Sequence, residues 1–390
     1  MAAGNSIAYL ELVTPSLEQP PSIGRALYWV DRDFPWARAD GWTIEWWGVR
    51  SRESRQIETN GLRLRGPRVP FRRIPRILLV TLSWLTHVVL VLRGSSTTVT
   101  VARSPHLGMG ASIARRFRRN GPRLVVRIVE RSSSKALHVY GSRSLSRLLE
   151  AVDRFVLAKA DLVFLLGDFT RDLARRAGVA DADIVELPSP RAWDDHPGAH
   201  AGERDPSLVV CAARFHREKG VATLIEALGL IAADYPSAVV EIAGDGPERE
   251  SLERFVADSG LGHRVRFRGW LPATAMPQFF GRALVAVAPS LVEEGHGRAL
   301  QEAASAGCAL IGSDLGGLKD TVVEGRTGLL VPPADPHALA NALRRCLDDP
   351  TTTSHMGEAA RAQALEYYGK REHGLEEVRR RLHALVRPAA

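Results

Sequence analysis

The chain has 390 residues, of which 45% are hydrophobic and 25% are charged, and its net charge is +8 at pH 7. This composition excludes a disordered or fibrous protein, and the length is that of two domains of ordinary size. A basic chain is compatible with nucleic acid, anionic membrane or phosphorylated substrates as partners, but no zinc-finger spacing or other nucleic-acid signature accompanies the charge.

The amino-terminal residues and the cysteines bear on the compartment. The first residues, MAAGNSIAYLELV, lack the basic start and the apolar block of a secretion signal. Cys211, Cys308 and Cys346 lie far apart in apolar or helical segments, which predicts buried or free thiols in a reducing compartment. We therefore expect a cytoplasmic protein.

The first half of the chain predicts strands that alternate with helices. Residues 6–13 are typical of a first strand, and the proline-rich loop after it carries Gly24. This glycine is either an ordinary turn glycine or part of a loop that meets a phosphate or an acceptor. Two further strands are predicted over residues 42–49 and 123–130.

An apolar run over residues 77–92 follows a cluster of arginines. The run holds 16 residues, fewer than the roughly 20 that a membrane-spanning helix needs, so it predicts a buried helix. The arginines before it form either a solvated face or a patch for an anionic membrane surface. They are Arg63, Arg65, Arg68, Arg72, Arg73 and Arg76.

Two histidines of the first half are candidates for a polar contact in a site. His106 follows a predicted strand, and His138 follows a run of serines. The alternative for each is a structural or surface role. Farther on, Pro188, Pro190 and Pro197 interrupt regular structure and predict a linker.

The second half opens with a basic pair. A strand predicted over residues 208–211 is followed by Arg214, by Lys219 five residues later, and then by Gly220 before a helix. Arginine can grip two phosphate oxygens and lysine supplies a compact charge, so the pair suits the charge of a departing diphosphate. The alternative is two exposed basic residues.

The most informative stretch is PSLVEEGHGRALQEAASAGCALI, residues 289–311. An apolar run, a glycine turn, a helical pattern and a second apolar run predict a βαβ unit. Its turn lies at the carboxyl edge of the sheet, where open α/β folds bind ligands. Glu294 lies in this turn, and Glu302 lies eight residues later in the helix.

These features suit a nucleotide sugar. The N–H groups of a helix start favour phosphate, and Gly295 and Gly297 allow a close approach. Glu294 can accept hydrogen bonds from sugar hydroxyls, and Glu302 can accept them from a ribose. The alternative is that Glu294 caps the helix and Glu302 is a solvated charge.

The motif EGHGRALQE over residues 294–302 resembles the signature of the family-4 retaining glycosyltransferases, Glu, seven residues, Glu, with a Gly-x-Gly turn. The resemblance covers about residues 208–370 well and the first half loosely. It implies the α/β fold class called GT-B, in which two Rossmann-like, doubly wound parallel-sheet domains face each other across a cleft. It also implies transfer of a sugar from a nucleoside-diphosphate sugar to an acceptor hydroxyl with retention of configuration.

On this resemblance we predict a first, acceptor-binding domain over 1–187, a linker over 188–206, a donor-binding domain over 207–370, and a last helix over 371–390 that packs back on the first domain. The predicted catalytic residues are Glu294, Arg214, Lys219 and His106. The predicted donor-binding residues are Glu302, Gly295, His296, Gly297, Arg298, Ala299, Gly244, Trp270, Leu271 and Gly24. We expect no metal and no cofactor, with the nucleotide sugar as substrate.

The expected acceptor is a carbohydrate or a lipid-linked molecule of bacterial polysaccharide or glycolipid synthesis, reached at the inner face of the membrane, with no nucleic acid as partner. The chain departs from the family pattern at the lone Gly24, at His296 in place of an aromatic or apolar residue, and after strand 123–130, which ends in Glu130 and Arg131 without the usual histidine. These departures leave a non-catalytic GT-B scaffold open. A nucleotide-sugar epimerase is a second alternative, which the two glutamates disfavour.

Overall fold

The computed structural model of the chain describes residues 6–10, 32–47, 50–51, 62–65, 68–69, 85, 88–89, 98–117, 122–131, 133–134, 141–190 and 204–386. Gly24 and His138 lie outside the described residues, as does most of the apolar run at 77–92.

The strands of the first half build one large parallel sheet. In chain order they are β1 Ser6–Leu10, β2 Thr43–Trp47, β3 Arg50–Ser51, β4 Leu62–Arg65, β5 Arg68–Val69, β6 Val99–Ala102, β7 Arg123–Arg127, β8 Leu162–Leu165 and β9 Ile184–Glu186. The sheet has the order β4-β2-β1-β6-β7-β8-β9, and β3 pairs separately with β5. All of these pairings are parallel, as expected for strands joined by crossovers.

The second sheet is also parallel. Its strands are β10 Asp205–Ala212, β11 Val239–Ala243, β12 Val265–Gly269, β13 Ala283–Ala288, β14 Ala309–Ser313 and β15 Gly328–Val331. They lie in the order β12-β11-β10-β13-β14-β15. The chain therefore reverses direction across the sheet at β10 and β13, which is where an open α/β sheet forms a crevice.

The α-helices connect these strands. They are α1 Met109–Phe117, α2 Arg143–Leu157, α3 Asp168–Arg176, α4 Val221–Ile231, α5 Arg249–Asp258, α6 Met276–Gly281, α7 Arg298–Ser305, α8 Leu318–Thr321, α9 Pro336–Asp348 and α10 Pro350–Val386. Within the part of the chain that the structure describes, no helix combines the length and the apolar character needed to cross a bilayer.

The second sheet is buried on both faces. Successive side chains of β10 alternate, so that Val209 and Cys211 enter one core whereas Leu208 and Val210 enter the other. Helices α4 and α9 cover the first core, and α7 and α10 cover the second. The predicted fold class, two doubly wound parallel sheets, is confirmed.

Helix α10 joins the two domains. Ala360 and Ala364 pack in a core of the second sheet, whereas Val378 and Leu382 pack in the core of the first sheet with Ile7. The predicted boundary between residues 370 and 371 falls inside this continuous helix.

The helix is fixed to the first domain by a buried charge cluster. Arg371 lies 3.4 Å from Asp33, which also pairs with Arg127 of β7, and Arg371 donates hydrogen bonds to the carbonyl groups of Pro188 and Arg32. The last helix thus connects the linker, the first sheet and the second sheet.

Candidate active site

A cavity of about 430 Å³ opens at the carboxyl ends of β10, β11 and β13. Ten of the residues predicted for the site line it: Arg214, Lys219, Gly244, Trp270, Leu271, Glu294, Gly297, Arg298, Ala299 and Glu302. Segments that are up to 88 residues apart in the chain, from Arg214 to Glu302, therefore meet in one place.

Lys219 and Glu294 form an ion pair in this cavity. The Lys219 Nζ atom lies 2.8 Å from Glu294 Oε1, and the Ser290 hydroxyl donates to the same oxygen. Burial raises the pKa of Glu294, but Lys219, Ser290 and Arg214 outweigh it and hold the pKa below its ordinary value. Glu294 is therefore a carboxylate at neutral pH and accepts hydrogen bonds from hydroxyl groups.

The position of Lys219 follows from the glycine after it. A short 3-10 helix, Arg217–Lys219, ends at Gly220, whose φ is 65°. A Cβ atom at this glycine would lie 1.9 Å from the Pro289 carbonyl oxygen, so the loop rests directly on the chain after β13. This contact brings the lysine beside the Glu294 turn.

The Gly-Asp-Gly turn after β11 packs in the same way. Gly244 has a φ of 137°, and a Cβ atom there would lie 1.8 Å from the Ala213 carbonyl oxygen. The Phe215 N–H donates to the Asp245 carbonyl at 2.8 Å. The turn and the Arg214 loop are thus held together by backbone contacts within the second domain.

Glu302 faces the cavity from helix α7, just over one helical turn after Gly297. Its side chain is only 12% exposed and lies 3.0 Å from Arg298 Nε, one helical turn earlier. Burial raises the pKa of Glu302, and Arg298 opposes this shift. The interpretation of Glu302 as a solvated helical charge is therefore wrong.

The first domain touches the site at the Glu294 turn. A Cβ atom on Gly295 would lie 1.6 Å from the Val129 carbonyl oxygen, just after β7. Two residues farther, Arg131 lies 3.3 Å from Glu293. No pattern in the sequence indicates this ion pair, because Arg131 and Glu293 lie 162 residues apart in the chain and belong to different domains.

His296 turns its side chain away from the cavity. The ring is 7% exposed, stacks on Tyr367 with 4.2 Å between ring centroids, and places Nε2 2.7 Å from Gln301 Nε2. Burial lowers the pKa of His296 to about 4, so the ring is neutral at pH 7. Only the backbone of His296, and not its ring, can therefore contact a nucleotide sugar in the cavity.

The other predicted residues lie elsewhere. His106 lies in the 3-10 helix Pro105–Gly108 and is not among the residues that line the cavity. Gly295 is not among the residues that line the cavity and packs against the first domain. Trp270, in contrast, stands at the cavity with 71% of its surface exposed.

This arrangement can be compared with known proteins. Residues 194–363 match the family model "Glycosyl transferases group 1", and residues 33–190 match the "Glycosyl transferase 4-like domain". The chain belongs to the family-4 glycosyltransferases. The two matches follow each other along the chain and correspond to the two sheets.

The names of two curated relatives of this family-4 chain refer to different sugars. This chain is 29% identical over 248 residues to an alpha-D-kanosaminyltransferase of Streptomyces kanamyceticus, and the alignment covers 60% of this chain. It is 31% identical over 230 residues to a GDP-mannose-dependent phosphatidylinositol monomannoside mannosyltransferase of Mycolicibacterium smegmatis, covering 55% of this chain. The alignments span 64% and 60% of the length of these two relatives.

Solved structures share the fold of this family-4 chain. Sucrose-phosphate synthase from Thermosynechococcus elongatus superimposes with a TM-score of 0.78 at 22% identity, over 97% of this chain and 99% of that one. Anabaena HepE in complex with UDP superimposes with a TM-score of 0.70 at 17% identity, over 97% of this chain and 100% of that one. These likenesses show the GT-B fold.

Proposed function

We propose that this chain transfers a sugar from a nucleoside-diphosphate sugar to an acceptor hydroxyl with retention of configuration. The observation that carries the proposal is that Arg214, Lys219, Glu294 and Glu302 line one cavity at the carboxyl edge of the second sheet. Two cations and two carboxylates in one crevice match the phosphate and hydroxyl groups of such a donor.

Each charged group has a task in this reaction. Departure of a nucleoside diphosphate builds negative charge on the β-phosphate, which Arg214 and Lys219 offset by electrostatic attraction. The first amides of α7 bind phosphate at the positive end of the helix. We therefore expect turnover without a metal ion.

The carboxylates hold the hydroxyl groups of the donor. Glu294, ionised by Lys219 and Ser290, accepts hydrogen bonds from the sugar. Glu302 accepts them from the ribose. Uridine diphosphate is the first nucleotide to test, because Anabaena HepE, which shares the fold, is solved with UDP. Closure of the cleft would keep water, the competing nucleophile, away from the sugar.

The first domain presents a surface that suits an acceptor at a membrane. Helices α1 and α2 contact each other, and both carry exposed large apolar side chains, Ile113 and Phe117 on α1 and Leu148 and Phe155 on α2. The same two helices carry exposed arginines such as Arg116 and Arg143. An apolar and basic surface binds anionic lipid headgroups. We propose that this surface brings the cleft to a lipid-linked or polysaccharide acceptor at the inner face of the membrane.

Vesicle sedimentation tests the membrane proposal. The double variant Phe117→Ser, Leu148→Ser should sediment less than the wild type with vesicles of phosphatidylcholine and phosphatidylglycerol. The variant Leu365→Ser is the control, because Leu365 is 42% exposed on α10 instead. Equal sedimentation of all three proteins would contradict the membrane proposal.

A thermal-shift panel tests the donor site. UDP, GDP, ADP and their sugars are added without metal to the wild type, to Arg214→Ala, and to Arg217→Ala, an exposed arginine that does not line the cavity. One nucleotide should raise the melting temperature of the wild type and of Arg217→Ala, but not of Arg214→Ala. No shift with any nucleotide would overturn the proposal and favour a scaffold role.

A further inference from the structure

A single carboxylate of the second domain holds a helix of the first. The Asp320 Oδ2 atom, on α8, accepts a hydrogen bond from the Phe169 N–H at 3.0 Å. Phe169 lies in the first turn of α3, where N–H groups have no partner within the helix. Asp320 therefore caps α3 across the interface between the domains.

The same carboxylate faces His296. Its Oδ2 atom lies 3.9 Å from His296 Nδ1, and a Cβ atom on Gly167 would lie 2.7 Å from that oxygen and 3.3 Å from that nitrogen. Gly167 immediately precedes α3. The first domain thus covers the side chains of Asp320 and His296, which belong to the second domain.

The hydrogen bonds around the ring set its tautomer. Thr321 Oγ1 donates to the His296 carbonyl at 2.9 Å, so it accepts from Gln301 Nε2 at 3.2 Å, which fixes the orientation of that amide. The same amide nitrogen donates to His296 Nε2. The ring proton therefore lies on Nδ1, which is 3.9 Å from Asp320 Oδ2 and has no hydrogen-bond partner among the described residues.

The segment around α8 also binds the backbone of the turn at residues 294–297. The Gly317 N–H donates to the Glu294 carbonyl at 2.7 Å, and Thr321 binds the His296 carbonyl. Asp320 lies between these two contacts in the sequence. A continuous series of contacts therefore runs from α3 of the first domain, through Asp320 and α8, to the turn that carries Glu294.

The other side of the ring contacts the connection between the domains. Tyr367 of α10 stacks on His296, and its hydroxyl accepts a hydrogen bond from the Ser189 N–H at 2.9 Å. Ser189 lies just after β9, in the predicted linker. His296, which belongs to the 294–297 turn, thus lies against the first domain and against the helix that joins the domains.

We propose that Asp320 and His296 couple the approach of the two domains to the geometry of the 294–297 turn. When Asp320 caps α3, α8 and the His296 ring hold this turn, so Glu294 and the amides before α7 take the arrangement that binds the donor. Both are positioning residues, and their side chains contact no substrate. The link to the donor rests on the proposed function, whereas the link between the domains does not.

Gly167→Ala is the sharpest test, because it lies in the first domain while its effect is expected in the second. The φ of Gly167 is 177°, an extended value that any residue adopts, so the variant adds only a Cβ atom against Asp320 and His296. Hydrogen exchange of the full chain without ligand should become faster both at the start of α3 and at residues 294–300. Gly262→Ala is the control, because a Cβ atom there meets no atom within 4 Å.

A double-mutant cycle with UDP, GDP or ADP, whichever binds, tests the coupling to the donor. Asp320→Ala and His296→Phe should each weaken nucleotide binding by about five- to tenfold, and the double variant should bind no more weakly than the weaker single variant. Asp314→Ala, which removes an exposed ion pair with Lys319, is the control and should bind as the wild type does.

The outcomes separate this inference from the proposed function. Unchanged exchange at 294–300 in Gly167→Ala would overturn the coupling even if nucleotides bind. Additive losses in the cycle would reduce the two residues to independent structural roles and would also overturn it. If the wild type binds no nucleotide, the proposed function fails, and the exchange experiment still decides whether the domains and the turn are coupled.

Discussion

Two glycine turns border the same cavity but are held in different ways. Gly244 rests on the carbonyl of Ala213, inside the second domain, whereas Gly295 rests on the carbonyl of Val129, which belongs to the first domain. The 244–246 turn is therefore complete once the second domain has folded. The 294–297 turn is complete only when the domains meet, so the site combines a preformed part with a part that depends on closure.

The largest effect is expected from the preformed part. Lys219→Met should lower the rate of sugar transfer by about 10²- to 10³-fold, because it removes a cation that offsets charge on the departing diphosphate. It also leaves the Glu294 carboxylate without its closest cation. Initial rates are measured with the donor found by thermal shift, with Lys319→Met, an exposed lysine, as the control. A loss below tenfold would exclude this role for Lys219.

Alanine at each of the two glycines compares the turns directly. Gly244→Ala should lower the free energy of unfolding by about 3 kcal/mol or more, since its φ of 137° and the Ala213 carbonyl leave no room within the domain. Gly295→Ala should cost much less stability, because the domains can separate, but it should expand the protein in solution scattering. Urea unfolding provides the stabilities, and equal losses for the two variants would contradict the distinction.

The buried ring of His296 predicts a dependence on acid. Its pKa is lowered to about 4 by burial, so the unfolded chain takes up the proton first as the pH falls. The stability contributed by the neutral ring is complete above pH 6.5 and is lost toward pH 4, by at most about 3 kcal/mol. Asp320, whose pKa burial raises to about 6, acts in the opposite direction as the pH rises from 3.8 to 6.

Unfolding free energies of the wild type and His296→Phe between pH 7 and pH 4 check this prediction. The phenylalanine keeps the stacking on Tyr367 but has no group that titrates. The wild type should therefore lose more stability than the variant over this range. Parallel curves for the two proteins would show that His296 does not titrate differently in the folded and unfolded chains.

The smallest effect is expected at Trp270, which borders the preformed part and is 71% exposed. Trp270→Ala should weaken nucleotide binding about fivefold through loss of an aromatic surface, which is worth about 1 kcal/mol. The radius of gyration of the variant with nucleotide should equal that of the wild type with nucleotide, because Trp270 does not contribute to the described contacts between the domains. Titration calorimetry and solution scattering measure the two quantities, and a loss of compaction would place Trp270 in the closing part instead.

The same distinction explains what the sequence could predict. Arg214, Lys219, Glu294 and Glu302 follow strands of one parallel sheet, and the carboxyl ends of such strands meet at one edge, so local patterns were enough to bring them together. The parallel α/β class followed from the apolar runs and glycine turns in the same way.

Such local patterns could not predict the contacts between the domains. The direction of the His296 ring depends on Tyr367, Gln301 and Gly167, which lie 71 residues later, 5 residues later and 129 residues earlier in the chain. In the sequence, Asp320 resembles any exposed helical carboxylate. Its contact with α3 is evident only from the structure. The linker prolines marked a boundary, and the resemblance implied a last helix on the first domain, but no pattern in the sequence indicated that this helix starts in the second domain and runs without a break from Pro350 to Val386.

That helix has a consequence for the order in which the chain folds. During synthesis the strands of the first sheet emerge first, yet their core contains Val378 and Leu382. The core of the second sheet that α4 and α9 cover draws on described residues from 209 to 346, so it can be completed before those two side chains leave the ribosome. The first domain is therefore synthesised first but completes its core last, and part of its apolar surface stays uncovered until α10 has been synthesised.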